Sequence, residues 1–268
     1  GPIIPPSIPM VLYGVSAGTS VGALLLAGLV PGLVMAVCLM VMVAIYAKGR
    51  NYPTSPRPTL HELAQGFVEA LPPLMTPVII IGGIYWGWFT PTEASVVAAA
   101  YAFILSCFLY RELPLADVPN VVVETMRQTV SIALISSAAS IYGWLILRSG
   151  IPMYFADLIP HLATTQIGTL FVIIVFLLVV GMFMEPVSAI LILCPILVPY
   201  VKSMGIDLVH FGVIMVLTLM IGLLTPPVGI VLYVLQGIAN ISFDRLVRAV
   251  LPFLIPLLIA LVIITLVP

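Results

Sequence analysis

The chain has 268 residues, is 62% hydrophobic and only 7% charged, and its mean hydropathy of +1.29 excludes a soluble globular domain. A formal net charge of −1 excludes the basic footprint of a nucleic-acid binder. A polytopic membrane protein is expected.

The first segment, Gly1-Pro2-Ile3-Ile4-Pro5-Pro6-Ser7, places a double proline in a stretch without charge up to Ala47. A proline pair donates no N–H groups and clashes with the preceding turn, which predicts a broken helix. An apolar run from about Val21 to Ala47 is long enough for one span and ends at Lys48-Gly49-Arg50. A polar loop from Asn51 to Thr59 and a short amphipathic helix with His61, Glu62 and Glu69 come next. Leu74 to Tyr85 and Glu93 to Tyr110 are predicted as an antiparallel pair joined through Trp86, Gly87 and Trp88. Thr90-Pro91-Thr92-Glu93 has the form of a capping box with proline at its first helical position, which gives Glu93 a structural role. A helix from about Val118 to Leu147 and a short interfacial segment from Ile151 to Leu162 follow.

Ile167 to Phe183 and Val187 to Val201 read as half-length arms that meet at Met184-Glu185-Pro186, the pattern of a re-entrant hairpin. Leu208 to Ile221 then enters a second double-proline segment, Gly222-Leu223-Leu224-Thr225-Pro226-Pro227-Val228. Ile230 to Ile238 leaves it, and Leu246 to Val267 is the last span. A shift of 221 residues lays Gly222 on Gly1, Pro226 and Pro227 on Pro5 and Pro6, and Pro252 on Pro31, so the chain carries a duplicated unit. Cytoplasmic loops collect Lys and Arg. The threading that puts Lys48, Arg50, Arg57, Arg111, Arg127, Arg245 and Arg248 on one side, against Arg148 and Lys202, makes the two broken helices run in opposite directions.

Four stretches, GPIIPPSIPMVLYGVSAGTSVGALLLAGLVPG (1 to 32), FTPTEA (89 to 94), GMFMEPVSAILILCPILVP (181 to 199) and GLLTPPVG (222 to 229), resemble the large membrane subunit of the TRAP (tripartite ATP-independent periplasmic) transporters. The resemblance covers nearly the whole chain. It implies an all-α integral membrane protein of elevator type, with inverted repeats, broken helices and a re-entrant hairpin. It also implies sodium-coupled uptake of a small organic anion, of the C4-dicarboxylate or sialic acid class, across the bacterial inner membrane. The implied partners are a small membrane subunit and a periplasmic substrate-binding protein. An N-terminal half, with a first hairpin, is expected to precede Gly1. On this reading residues 1–20 are the second half of the first broken helix and 21–164 are largely scaffold and arm. Residues 165–242 hold the hairpin and second broken helix, and 243–268 form the terminal span.

At each break the preceding helix turns its last carbonyls into the gap, which suits a cation, and the next half-helix offers N–H groups, which suit an anion. Sodium is expected on backbone oxygens of Gly222 and Val228 and on the carbonyl or hydroxyl of Thr225, completed by Gly181. The substrate cavity and hairpin tip are expected at Pro5, Pro6, Ser7, Met184, Glu185, Pro186, Ser188, Pro226 and Pro227. Thr225 has a second reading, as the N-cap of a helix starting at Pro226, and Glu185 has one as a cap of the second arm.

Other chemistries match the sequence less well. Gly14-Val15-Ser16-Ala17-Gly18 matches the G-x-S-x-G nucleophile pattern of a serine hydrolase, but a helix ending at Gly18 accounts for it without a strand-turn-helix elbow. His61-Glu62-Leu63-Ala64-Gln65 lacks the second histidine of a zinc-protease helix. A passive anion channel would also use broken helices. Cys38, Cys107 and Cys194 read as buried free thiols, His161 and His210 as solvated, Trp86 and Trp88 as interfacial anchors, and Ser136, Ser137 and Ser140 as helix-packing residues.

Overall fold

A computed structural model describes residues 3–4, 7–48, 58–150, 154 and 165–267. Pro5, Pro6, Arg50, Arg57, His161 and the interfacial segment from Ile151, apart from Tyr154, lie outside the described residues, as do the side chains of Ser136 and Ser140. Every regular element among the described residues is helical, and six helical stretches are long and apolar enough to cross a membrane. The chain divides into two compact units: Gly1–Tyr46 with Leu134–Pro268, and Ala47–Ala133.

The first unit is built around one helix. In chain order it contains α1 (Ile8–Ala17), α2 (Val21–Ala27) and most of α3 (Leu29–Lys48). After the long helix whose C-terminal part belongs here come α7 (Gln166–Phe183), α8 (Pro186–Ser203), α9 (Leu208–Gly222), α10 (Ile230–Ala239) and α11 (Phe243–Leu266). Helix α9 is apolar on every side, and such a helix must be surrounded. Residues from Phe211 to Leu219 are all buried, and α7, α8, α1, α2 and α11 pack around them. Glycine permits one of these approaches, because a methyl at Gly212 would run into the Tyr13 ring. Tyr13 is fully buried, sets its ring edge-on to Phe211 and donates its hydroxyl to the Leu208 carbonyl at 2.8 Å.

The helices show a related pattern at an offset of 222 residues, one more than the register of the double prolines. Helix α1 runs for ten residues, ends in a left-handed Gly18 and is followed by Ser20 capping α2; α10 runs for ten, ends in a left-handed Asn240 and is followed by Ser242 at the head of α11. Where α11 is continuous, its counterpart is interrupted: the apolar run from Val21 is two helices, with a turn at Gly28. The carbonyl of Ile3 lies so close to Gly28 that a methyl there would sit 2.6 Å from it, and Ile4 packs against Gly32. The turn thus forms where Ile3 and Ile4 press on the helix.

The two hairpin arms are 18 residues each, not half-length. At 1.5 Å per residue each reaches about 27 Å, close to the roughly 30 Å of a bilayer core. Gln166 at one end and Lys202-Ser203 at the other continue the helices past the apolar limits that the sequence suggested.

The second unit holds α4 (Leu60–Tyr85), α5 (Pro91–Ile104), a π-helical turn (Leu105–Leu109), a 3-10 turn (Leu115–Asp117) and the start of α6 (Val118–Ser149). The sequence separates an amphipathic helix near His61 from a span starting at Leu74, but α4 is continuous through Pro72, Pro73 and Pro77. Pro73 has no N–H for the carbonyl of Glu69. The Tyr110 hydroxyl donates to that oxygen at 3.4 Å, and the Tyr101 hydroxyl donates to Pro72 at 2.9 Å. Donors from the partner helix therefore accompany the loosened turn. Thr59 and Glu62 start α4 with a capping box, and Thr90 and Glu93 start α5 with the one expected from the sequence.

Candidate functional site: the second helix break

Helix α9 stops at Gly222 and α10 starts at Ile230, so residues 223–229 form a non-helical bridge between two apolar helices. The break faces the end of α7. Gly181 and Gly222 meet there backbone to backbone: a methyl on Gly222 would lie 2.7 Å from the Gly181 Cα, and one on Gly181 would lie 3.0 Å from the Leu219 carbonyl oxygen. Any side chain at either position would force the helices apart.

The carbonyls at the end of α9 are not bare, contrary to the expectation from sequence. Leu223 N–H donates to Leu219, Leu224 N–H to Ile221 at 3.0 Å, and Thr225 N–H to Gly222 at 2.9 Å. The chain tightens from i−4 to i−3 bonding as it leaves the helix, a common way of satisfying the last acceptors. Each carbonyl oxygen has two lone pairs, so the single bond from Thr225 N–H leaves acceptor capacity at Gly222, whereas Ile221 also receives the Thr225 hydroxyl.

Thr225 does not N-cap the following helix. Its hydroxyl donates back to the Ile221 carbonyl at 2.9 Å, and the cap position of α10 belongs to Gly229, four residues further on. Gly229 takes a left-handed backbone with φ of 54°, and a methyl there would lie 3.1 Å from the Thr225 carbonyl oxygen and 2.8 Å from Leu232. Its N–H donates to the Met182 carbonyl at 3.2 Å. The far side of the break is thereby pinned to the last turn of α7. Gly181, Gly222, Thr225 and, next to Gly229, Val228 are brought to one crossing. Met182 and Gly229 were missed in the sequence; a glycine between Pro-Pro-Val and an apolar helix was the available signal.

At the hairpin tip Met184 is extended and Glu185 is the N-cap of α8, its carboxylate accepting from the Ser188 N–H at 3.0 Å. Glu185 is exposed, Pro186 buried and Ser188 half-buried. The capping reading of Glu185 is the one realised in the geometry.

Ser7 differs from its expected place in a substrate cavity. It is 2% exposed and N-caps α1, accepting from the Met10 N–H at 3.3 Å. Pro226 is half-buried and Pro227 exposed. Ser16 lies in the last turn of α1, which ends at the left-handed Gly18 as expected, so no nucleophile elbow forms there. His210 is not solvated: it is half-buried, with Nε2 2.8 Å from the Ile264 carbonyl near the end of α11. All three cysteines are free, but only Cys194 is buried; Cys38 and Cys107 are half-buried.

A family model, the DctM component of tripartite ATP-independent periplasmic transporters, matches residues 1–268. The chain is 43% identical over its whole length to the sialic acid TRAP transporter large permease protein SiaM of Vibrio cholerae serotype O1, covering 63% of that protein. It is 40% identical over 267 residues to the 2,3-diketo-L-gulonate TRAP transporter large permease protein YiaN of Escherichia coli, covering 63% of it. To the C4-dicarboxylate TRAP transporter large permease protein DctM of Pseudomonas aeruginosa it is 41% identical over 268 residues, again covering 63%. The chain thus spans less than two thirds of these relatives. They are named as transporter permeases, not as enzymes.

Proposed function

Because the chain belongs to the DctM component family of the tripartite ATP-independent periplasmic transporters, as a multi-pass inner-membrane protein, we propose that it serves sodium-driven uptake of a small organic anion. The observation that carries this reading is the seven-residue break after Gly222, seated on Gly181 of α7. Non-helical backbone inside an apolar bundle costs several kcal/mol per unsatisfied group in lipid, and it is tolerated where protein or a cavity receives it. A break of this kind supplies what alternating-access transport needs: carbonyl oxygens for an alkali cation and the positive end of a half-helix for a carboxylate.

Sodium sits on backbone oxygens of Gly181, Gly222 and Val228 and on an oxygen of Thr225. The Thr225 hydroxyl spends its proton on Ile221, which leaves its lone pairs for the ion. The anion lies toward Pro226 and Pro227, since the N-terminus of α8 at the hairpin tip is already taken by the Glu185 carboxylate. The three relatives carry sialic acid, a diketo-gulonate and C4-dicarboxylates in their names, and each of these compounds bears a carboxylate. A carboxylate of the C4-dicarboxylate or acidic-sugar class is accordingly the substrate. A small membrane subunit and a periplasmic binding protein complete the transporter, and an elevator movement of the first unit's broken helices carries the load.

The test is uptake into proteoliposomes of the assembled transporter with its binding protein, against a panel of dicarboxylates and acidic sugars. Accumulation above the outside concentration, only with an inward sodium gradient, is the expected result. Equilibration without accumulation would establish a passive channel instead.

A further inference from the structure

Helix α11 begins at a basic recess that the transport reading does not use. Ser242, Asp244, Arg245 and Arg248 line a depression of about 290 Å³. Arg245 and Arg248 are three residues apart and so share a helix face. Both are exposed, and no ion pair to either is found among the described residues. Ser242 makes no capping bond with its side chain. Asp244 lowers the positive charge of the recess but does not cancel two guanidinium groups.

What lies below the recess is also distinctive. From Arg248 the exposed residues Leu251, Ile255, Leu258 and Val262 follow at spacings of three and four, which makes one continuous apolar stripe down the same face. Phe243, which follows Ser242 in the chain, stacks on Tyr233 with ring centroids 4.9 Å apart, and tyrosine is enriched at membrane interfaces. A polar, cationic recess at the interface with a lipid-facing stripe running from it has the two-part chemistry of a phospholipid.

We propose that Ser242, Arg245 and Arg248 hold the phosphate of an anionic phospholipid, with an acyl chain lying along Leu251, Ile255 and Leu258. Guanidinium forks match phosphate oxygens bidentately, and the serine hydroxyl supplies a further donor. The proposal is independent of sodium coupling and of the transported anion.

Native mass spectrometry of the full chain, released from micelles doped with phosphatidylglycerol or phosphatidylcholine, tests it. Wild type should retain phosphatidylglycerol preferentially. Arg245→Gln with Arg248→Gln should reduce that retention by about fivefold per arginine removed, while phosphatidylcholine adducts stay unchanged. Arg245→Lys with Arg248→Lys, which keeps the charge but loses the forked geometry, should bind between wild type and the double Gln variant, and Asp244→Asn should raise retention. Equal phosphatidylglycerol retention by the double Gln variant, with its thermal melting unaltered, would overturn the assignment. So would displacement of the lipid by millimolar inorganic phosphate, since the recess would then be a site for the free ion.

Discussion

Gly181 and Gly222 cross with no side chain between them, so that the end of α7 and the break after α9 share one backbone contact. Apolar packing alone would be served equally well by alanine with a slightly wider crossing. The contact instead places peptide groups of both segments next to the Thr225 turn, where the proposed sodium ion would draw oxygens from more than one element.

Gly222→Ala and Gly181→Ala should each force this crossing open, because the added methyl at Gly222 lands 2.7 Å from backbone that no rotamer change can move. Overpacking of this kind costs roughly 1–3 kcal/mol. Thermal melting of the purified protein should fall for both variants. The sodium concentration for half-maximal uptake should rise more than the substrate KM does. A larger change in KM than in sodium dependence would assign the crossing to the substrate.

Glu185 caps α8 from an exposed position. Glu185→Ala should therefore cost about 1 kcal/mol of stability, as is typical of lost N-caps. Glu185→Asp and Glu185→Gln, which keep an acceptor oxygen, should transport normally from pH 6 to 8, roughly the window over which a coupled proton would be felt. A pH-dependent loss in Glu185→Gln would give the carboxylate a part in the transport cycle.

Tyr13 joins α1 to α9, the helix that leads into the break after Gly222, through its bond to Leu208. Tyr13→Phe keeps the ring and removes one buried hydrogen bond, a loss of about 1–3 kcal/mol when the acceptor stays buried. Unfolding followed by tyrosine-independent means, such as thiol labelling of the buried Cys194, should show the destabilisation. A variant as stable as wild type would mean that water replaces the hydroxyl.

Much of this architecture was legible in the residues. The break at Pro226-Pro227 follows from missing N–H groups, the end of α1 from Gly18, and the start of α5 from Thr90 and Glu93; each is a local constraint that needs no partner. What was not legible depends on partners distant in sequence. Helix α4 continues through its three prolines, and one carbonyl that they free, that of Glu69, finds its donor in Tyr110, 41 residues away. Thr225 has the sequence of an N-cap, and it loses that role because Gly229, bonded to Met182, sets where α10 begins. His210 looks solvated in the sequence, and becomes a cap for α11 only when Ile264 is folded against it.

Thr225 decides whether the second break is a sodium site. The measurement is the sodium dependence of initial uptake rates by the assembled transporter in proteoliposomes, for wild type, Thr225→Ser and Thr225→Val. A sodium site at the break predicts a sodium-dependent wild type, a near-identical curve for Thr225→Ser, and a half-saturating sodium concentration about tenfold higher for Thr225→Val, equivalent to about 1.4 kcal/mol of lost ligation. Wild-type uptake that ignores sodium, or a Thr225→Val curve that overlays the wild type, would contradict it.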